Sequence, residues 1–372
     1  MSINTEVLKT AKAAPMRAQS NATTRVDVPE LIDLAVRGLG PMFNEKEQLF
    51  CYRRTKTPSG MQQEGLSPRY TIMTLLGLIE YEKAGGTSPF AIDSLLDRLL
   101  ENRAWPEGAG DFGLLAWLTA VRAPKKLPAL FSRFDVSNAF EKYQDLRNGN
   151  TMEMAWFLTG LSYVAMAAQS GVPDIRGLAE KTFRALVKNQ GLQFFGHLDR
   201  SQTNSGKIRG WMGSFADQVY PILAFTRYSQ AFHSKDAQQL ALECARGICR
   251  EQGALGQWWW HYDSRMGRVA SMYPVFSVHQ DAMAPMVLFA AGEATGEDFR
   301  EYIYLGLDWV GGQNELGRDL RDTEHNLVWR RIHPVPESSM QLDVLASHFH
   351  IYRKASTRSM DILWESRPYH LG

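Results

Sequence analysis

Acidic side chains recur at a regular spacing along this chain, and carboxylates can move protons in catalysis. Asp217 and Asp281 are 64 positions apart, and proline follows each of them four positions later, in "ADQVYPILAF" and "QDAMAPMVLF". Glu153 lies 64 positions before Asp217, and Asp343 lies 62 positions after Asp281. Two carboxylates in one site can act as general acid and as base or nucleophile. The spacing predicts that all four occupy equivalent places in a repeated unit.

Each of these carboxylates is predicted near the start of a helix, which allows two interpretations. In the first, they cap the helices, because an aspartate at a helix start accepts backbone N–H bonds and lies at the favourable end of the helix dipole. In the second, they are catalytic, because polar residues that capping does not require surround them. These neighbours are Gln218, His279, Gln280 and Gln341.

The catalytic interpretation assigns roles by electrostatics. A helix start stabilises an ionised carboxylate, so Asp281 or Asp217 is predicted to be the base, and the acid stays unassigned. Glu153 and His279 complete the predicted catalytic set. The carboxylates available as the acid are Asp111, Asp263 and Glu324.

Three consecutive tryptophans in "EQGALGQWWWHYD", residues 251–263, predict an aromatic loop. Neither a helix nor a strand can turn all three to one face. Exposed indoles stack on the apolar faces of sugar rings, whereas nearby polar groups bind hydroxyls. The alternative is that Trp258 packs between helices and Trp260 beneath the loop. The predicted substrate-binding residues are Trp259, Trp260, Tyr262, Asp263, Asp111, Gln280, Asp343 and Arg330.

Arg330 is included because "NLVWRRIHP", residues 326–334, alternates like a short strand, and its arginines can bind a carboxylate or phosphate. A solvated arginine is the alternative. His279 and Asp281 are two positions apart, as are His348 and His350, and nothing near either pair completes a ligand set, so no metal is predicted. Phosphate-binding glycine motifs are missing, and no cofactor is predicted.

Helical periodicity over nearly the whole chain predicts the elements that position these residues. Helices rich in charge are predicted near 28–39, 90–102, 129–146, 174–190, 235–251 and 297–311. Helices rich in small and apolar residues are predicted near 66–83, 111–122, 151–170, 215–232, 279–294 and 338–355. Because apolar helices belong inside and charged helices outside, the six pairs predict an all-α fold, an (α/α)6 toroid. A flexible tail, 1–27, is expected to precede one toroid domain, 28–372, and a short β-hairpin can lie in its long links.

One motif carries a family resemblance. Gln252, Gly256 and Trp258 fit the QxxxGxW pattern, and the chain in this respect resembles squalene-hopene cyclases and related terpenoid cyclases. A degenerate copy has Gln190 and Gly196, with His197 in place of the tryptophan. The resemblance implies an α/α toroid and, more remotely, cyclase chemistry. The DxDD motif that supplies the acid in those cyclases is absent, and the most similar stretch is "RDLRD".

Composition excludes several classes of protein. Forty-one basic and 40 acidic residues give a formal charge of +1, which argues against a nucleic-acid partner. The apolar runs are too short to span a membrane. Three cysteines without a CxxC pair predict no disulfide framework and fit a reducing compartment. The N-terminus lacks the apolar core of a secretory signal, so a cytoplasmic location is expected.

Three functions remain open at this point. The first is a carbohydrate-active enzyme that acts on a glycan or polysaccharide, because the predicted toroid resembles those of glycoside hydrolases, lyases and sugar epimerases. The second is a terpenoid cyclase-like enzyme, and the third is a toroid that binds glycans without catalysis. The reaction type and the oligomeric state are left open by the sequence.

Overall fold

The computed structural model describes residues 25–102, 104–144, 151–197, 210–334 and 369–371. These ranges are predominantly helical, as predicted. Their α-helices are α1 (Val28–Met42), α2 (Pro68–Lys83), α3 (Ile92–Glu101), α4 (Ala109–Arg122), α5 (Leu127–Arg133), α6 (Val136–Gln144), α7 (Thr151–Ala167), α8 (Arg176–Val187), α9 (Ala216–Phe232), α10 (Lys235–Arg250), α11 (Ala284–Thr295) and α12 (Arg300–Val310). A 3-10 turn, Pro124–Lys126, precedes α5, and a π-helical turn, His279–Met283, precedes α11.

The helices agree closely with the predicted ones, apart from one division. The helix predicted over 129–146 is split into α5 and α6 between Arg133 and Val136. The split falls at Asp135, whose carboxylate accepts a hydrogen bond from the Asn138 amide at 3.0 Å and so begins a new helix. The last predicted helix, 338–355, and residues 1–24 of the predicted tail lie outside the described residues.

Five helices, α2, α4, α7, α9 and α11, pack side by side in chain order. The central three are buried on nearly every side, as their composition predicts. Glycines bring α4 and α7 unusually close. A Cβ on Gly113 would lie 2.4 Å from the Phe157 Cα, and a Cβ on Gly160 would lie 2.2 Å from the Gly113 carbonyl oxygen.

The other helices flank this series and have one apolar face. In α3, Leu95, Leu96 and Leu99 are buried, and in α10 the buried residues include Cys244 and Ile248. α3 packs against α2 and α4, α8 against α7 and α9, and α10 against α9 and α11. The division into enclosed and flanking helices therefore follows the pattern of apolar and charged residues in the sequence.

The segments between helices carry short antiparallel strands. They are β1 (Phe43–Asn44), β2 (Leu49–Thr57), β3 (Gly60–Leu66), β4 (Met212–Ser214), β5 (His261–Asp263), β6 (Arg268–Ser271), β7 (Val275–Phe276), β8 (Arg321–Asp322), β9 (Leu327–Val328), β10 (Arg331–Pro334) and β11 (Tyr369–Leu371). The sheets have the strand orders β1-β2-β3, β4-β5-β6 and β11-β10-β7, with β8 paired to β9. The strand expected within 326–334 forms as β9 and β10. The long β2–β3 hairpin was not predicted.

The residues of the QxxxGxW pattern join neighbouring flanking helices. Gln252 follows α10, and its Nε2 donates to the carbonyl oxygens of Gly256 at 3.1 Å and of Tyr302, in α12, at 2.9 Å. Gly256 has φ of 99°, and a Cβ there would lie 2.1 Å from the Leu305 carbonyl oxygen. The chain therefore turns tightly against α12 at the only residue type that fits both the angle and the space.

Two general findings bear on the sequence predictions. Among the described helices, none combines the length and the apolar character that crossing a bilayer requires. Cys51, Cys244 and Cys249 are all buried and unpaired by disulfides.

Candidate functional site

The starts of the five enclosed helices meet at one end of the molecule. Arg69 in the first turn of α2 contacts the first turns of α4 and α7. Trp156 of α7 lies 5.2 Å from Tyr220 of α9, measured between ring centroids. Phe215, at the start of α9, lies 4.6 Å from the His279 ring in the π-helical turn. Polar residues that are distant in sequence are thereby brought to one surface.

Arg69 is the centre of an ion-pair group. Its Nε donates to Oδ1 of Asp111, and its Nη2 donates to Oε1 of Glu153 at 2.9 Å. Burial acts to lower the pKa of Arg69, but the hydrogen bond and charge of Asp111, together with Glu153, raise it overall. The guanidinium also lies 5.6 Å from the centre of the Trp156 ring. Asp111 is fully occupied here, since its second oxygen accepts from the Glu107 amide at 3.3 Å.

The close approach of α4 and α7 explains why Asp111 and Glu153 share one arginine. A Cβ on Gly110 would lie 2.7 Å from the Cβ of Glu153, so only glycine permits this contact beside Asp111. Two carboxylates held so close repel each other unless a cation lies between them. Arg69 supplies that cation.

Asp217 caps its own helix and also contacts a histidine. Its Oδ2 accepts hydrogen bonds from the amide and the hydroxyl of Ser214, both at 2.9 Å, while the Asp217 amide donates back to the hydroxyl. This reciprocal pattern resembles a capping box. Oδ2 also lies 3.3 Å from Nδ1 of His197. Asp217 is buried, and the half-buried His197 ring is oriented by it.

Asp281 differs from the other carboxylates. It lies in the middle of the π-helical turn, where the Ala284 amide donates to the His279 carbonyl and Pro285 has no amide hydrogen to donate. π-Helical turns are rare in proteins as a whole, but those that occur frequently lie at functional sites. Asp281 is half-buried, and burial raises the pKa of its carboxyl to about 7, opposed only by a hydrogen bond to its own amide. Asp281 is therefore largely protonated at slightly acid pH, against the prediction that a helix start keeps it ionised.

His279 is buried among aromatic rings. Its ring is nearly parallel to that of Trp260, with an interplanar angle of 11°, and it also contacts Phe276 and Phe215. Burial lowers the pKa of His279 to about 3, which a hydrogen bond with the Trp258 backbone offsets only in part. Its Nδ1 makes no hydrogen bond to any described residue. His279 is thus neutral at physiological pH and cannot serve as a cationic acid there.

The three tryptophans lie in different environments. Trp258 is fully buried, 5.8 Å from Phe215 and against Gly306 of α12, which agrees with the packing alternative. Trp259 is also buried, and its Nε1 donates to the Glu251 carbonyl at 2.7 Å. The prediction of an exposed indole is therefore wrong for Trp259. Trp260 is half-buried, so part of its surface can reach a ligand.

Three more predicted binding residues are buried. The Tyr262 ring packs 4.8 Å from Phe194, and Asp263 accepts the amides of Arg265 and Met266 in the β5–β6 turn. Gln280 donates to the Phe276 carbonyl at 3.3 Å. The hydrogen bonds of Asp263 and Gln280 hold the loop and the π-helical turn in place, and Tyr262 contributes by packing.

The remaining predicted residues are placed as follows. Arg330 is exposed, and its guanidinium lies 5.3 Å from the centre of the Phe276 ring. Glu324 is exposed in the turn between β8 and β9. Asp343 lies outside the described residues. The structure thus brings Asp111 and Glu153 into direct contact with one arginine, and it connects Asp217 to the turn of Asp281 through Phe215 and His279.

Several residues of this end were not predicted as site residues. They are Arg69, Ser214, His197 and the exposed pair Tyr52 and Tyr70, whose ring centres are 5.6 Å apart. Arg69 stands in α2 at the place where other enclosed helices carry an acid, and a search restricted to acidic residues does not find it. His197 had a signal, because it lies in the degenerate copy of the QxxxGxW pattern, 64 positions before His261.

Neither metal-ligand clusters nor comparisons with known proteins assign a function to this site. Over the part of the chain that the structure describes, no three His, Cys, Asp or Glu side chains lie close enough together to hold a metal ion. No protein-family model matches this sequence, and a search of curated proteins finds no match either. The chemistry at hand is a neutral carboxyl, a histidine–aspartate pair and an arginine–carboxylate group, which is suited to proton transfer.

Proposed function

We propose that this protein is a carbohydrate-active enzyme that transfers protons at the glycosidic bond of a glycan. The fold proposed with it is an (α/α)6 toroid, of which the structure describes five enclosed helices. The observation that supports this function most is the position of Asp281, whose pKa burial raises to about 7, at the same end of the helices as carboxylates and a histidine. The alternatives are a terpenoid cyclase-like enzyme and a toroid that binds glycans without catalysis.

Asp281 is assigned as the general acid. A glycosidic oxygen that leaves must receive a proton, and an acid with a pKa near the working pH donates it most efficiently. Its pKa of about 7 meets that requirement, and within the described residues no basic side chain pairs with it. This reverses the expectation that Asp281 is the base, because burial destabilises its anion more than the hydrogen bond to its own amide stabilises it.

His197 is assigned as the base, held by Asp217. Three donors already lie around Oδ2 of Asp217, so that carboxylate is better suited to orient the His197 imidazole than to accept a proton from substrate. An aspartate that binds one ring nitrogen fixes the tautomer and leaves the other nitrogen to accept a proton. That proton can come from water in hydrolysis or from a sugar carbon in elimination.

Arg69 and Glu153 are assigned to substrate positioning, and Asp111 holds Arg69 in place. Glu153 retains some exposure beside the half-exposed Arg69, so both can bind sugar hydroxyls. Trp260, with one part of its indole accessible, supplies an apolar surface for a sugar ring. A site in which a guanidinium and a carboxylate keep some exposure fits a sugar better than a hydrocarbon.

The terpenoid cyclase alternative is less favourable for a chemical reason. Protonation of an alkene needs a strong acid, whereas burial makes Asp281 a weaker acid than an ordinary aspartate. A glycosidic oxygen has a lone pair and accepts a proton from a weaker donor. The non-catalytic alternative provides no reason for an unpaired carboxyl in a π-helical turn.

The test compares Asp281→Asn with a matched control, Asp298→Asn. Asp298 is exposed before α12, and its pKa is lowered to about 2 by the hydrogen bond with Arg300, so it has no part in proton donation. The wild type and both variants are incubated with a panel of neutral and acidic polysaccharides, and the products are separated by chromatography. Folding is checked by circular dichroism.

The proposal predicts products from at least one polysaccharide with the wild type and with Asp298→Asn. Turnover by Asp281→Asn is expected to fall by a factor of about 100 or more, as is usual when a general acid is removed. Equal turnover by Asp281→Asn and the wild type contradicts the assignment of the acid. Binding without turnover by the wild type favours the non-catalytic alternative.

A further inference from the structure

Arg330 is fixed in position beside the candidate site. Its carbonyl oxygen accepts from both the amide and the hydroxyl of Ser277, at 2.9 and 3.0 Å. The next residue, Arg331, pairs with Phe276 in the β7–β10 ladder. Because β7 leads directly into the π-helical turn, the backbone that carries Arg330 is attached to the segment that carries His279 and Asp281.

The Arg330 guanidinium lies at the outer end of a series of aromatic contacts. It is 5.3 Å from the Phe276 ring centre, and that ring is 4.8 Å from Trp260 and 5.2 Å from His279. Trp260 is the indole with accessible surface. Trp260 therefore contacts both Phe276, which packs against Arg330, and His279, in the turn of Asp281.

The cation has no carboxylate of its own among the described residues. Glu64, the acid that acts on Arg330 electrostatically, is paired with Arg53 at 2.5 Å. Burial and the positive charges of Arg53 and Arg331 lower the pKa of Arg330, so the three guanidinium groups repel one another. An anion placed among them would relieve this repulsion and accept hydrogen bonds in the planar geometry that arginine provides.

We infer that Arg330 binds the anionic group of an acidic sugar, so that the substrate class is an acidic glycan. This inference rests on the proposed function, because it places the acidic sugar next to the one on which Asp281 acts. A carboxylate of a uronic acid and a sulfate ester each offer two anionic oxygens that can accept paired hydrogen bonds from a guanidinium, and the experiment separates the two. The positive charges of Arg53 and Arg331 add to the attraction for the anion, and the Phe276 ring packs against the Arg330 guanidinium.

The experiment measures binding to the full chain by isothermal titration calorimetry. The probes are oligogalacturonate, its carboxyl-reduced neutral form and a sulfated galactan oligosaccharide that carries sulfate esters and no carboxylates. The variants are Arg330→Gln, Arg330→Lys and, as a matched control, Arg300→Gln, in which the lost guanidinium is exposed and pairs with Asp298. Thermal unfolding of each variant checks the fold, and because Arg330 is exposed, its replacement is expected to leave the fold intact.

The inference predicts that at least one acidic probe binds the wild type more tightly than the neutral form does. Arg330→Gln is expected to lose about tenfold or more of that affinity, and Arg330→Lys less, while Arg300→Gln is unchanged. Preference between the two acidic probes identifies the anion as carboxylate or sulfate. Equal affinities of Arg330→Gln and the wild type, a preference for the neutral form, or no binding of either acidic probe overturns the inference.

The two proposals fail in different ways. Acidic probes that bind through Arg330 without being turned over contradict the enzymatic function and leave this inference standing. Turnover of neutral glycans that depends on Asp281 and is unaffected by Arg330→Gln contradicts this inference and leaves the enzymatic function standing.

Discussion

Arg69 donates from Nη2 to Oε1 of Glu153 at 2.9 Å, and this bond connects the start of α2 with the start of α7. Asp111, at the start of the intervening α4, accepts from the same guanidinium. One cation thereby holds the starts of three consecutive enclosed helices at one level. The stability of this end of the molecule should depend on it.

Arg69→Gln is expected to lower the free energy of unfolding by about 2 to 3 kcal/mol, because two close carboxylates lose their shared cation. The estimate is below that for a fully buried pair, since the Arg69 side chain is 35% exposed. Urea unfolding measures the change. The control is Arg246→Gln, whose ion pair with Glu297 lies on the surface and should contribute less than about 1 kcal/mol. Similar small losses in both variants contradict a structural role for Arg69.

Asp281→Asn is expected to change the pH dependence of stability. Because the folded carboxyl has its pKa raised to about 7, from the model-compound value of 3.8, the folded state binds more protons than the unfolded state between these values. The wild type therefore loses free energy of unfolding as pH rises from about 4 to about 7, by up to about 4 kcal/mol from this group. The variant lacks this loss.

Urea unfolding of both proteins at several pH values tests this prediction. The difference in stability between Asp281→Asn and the wild type should favour the variant most at pH above about 7 and diminish toward pH 4. A difference that does not vary with pH shows that the carboxyl titrates normally.

Gly113→Ala is expected to separate α4 from α7. The added Cβ would lie 2.4 Å from the Phe157 Cα, which is backbone and cannot rotate away. We expect a loss of about 1 to 3 kcal/mol in the free energy of unfolding, as is typical of overpacking. Gly77→Ala in α2 is the control, because its Cβ would have no neighbour within 4 Å, and it should be neutral or slightly stabilising. Thermal unfolding that ranks the two variants in the opposite order refutes the close contact.

Glu315 is expected to hold the tryptophan loop against α12. Its carboxylate accepts from Gln257 Nε2 at 2.8 Å, from the Tyr273 hydroxyl at 2.8 Å and from Trp309 Nε1 at 2.7 Å. Glu315→Ala leaves three donors without this acceptor, and we expect a loss of about 3 kcal/mol in chemical denaturation. Glu80→Ala removes only an exposed pair with Lys83 and serves as the control. Equal stabilities of the two variants contradict the anchoring role.

The helices could be predicted because their signals are local. Apolar periodicity, charged faces and terminal glycines or prolines mark nearly every helix that the structure describes. The equivalence of Glu153, Asp217 and Asp281 could also be predicted, because repeated units place equivalent residues at equivalent helix starts. The toroid stays a prediction, since the sixth enclosed helix lies outside the described residues.

The chemical state of each carboxylate could not be predicted, because it depends on contacts between distant segments. Asp217 has Ser214 as a local donor, whereas Asp281 lies in a π-helical turn that no periodicity distinguishes from an ordinary helix. The exposure of the three tryptophans could not be predicted either, for the same reason. Trp258 and Trp259 are buried by packing and by a bond to the Glu251 carbonyl, and only Trp260 keeps accessible surface.

The crystal structure of Asp281→Asn bound to an oligosaccharide that the wild type turns over tests the central claim most directly. The quantity to measure is the distance from the side chain of residue 281 to the nearest glycosidic oxygen. We predict that the side chain of residue 281 lies within hydrogen-bond distance of the glycosidic oxygen, about 2.6 to 3.2 Å, with the sugar lying over Trp260. A sugar bound elsewhere, or a glycosidic oxygen out of reach of residue 281, contradicts the assignment of Asp281 as the proton donor.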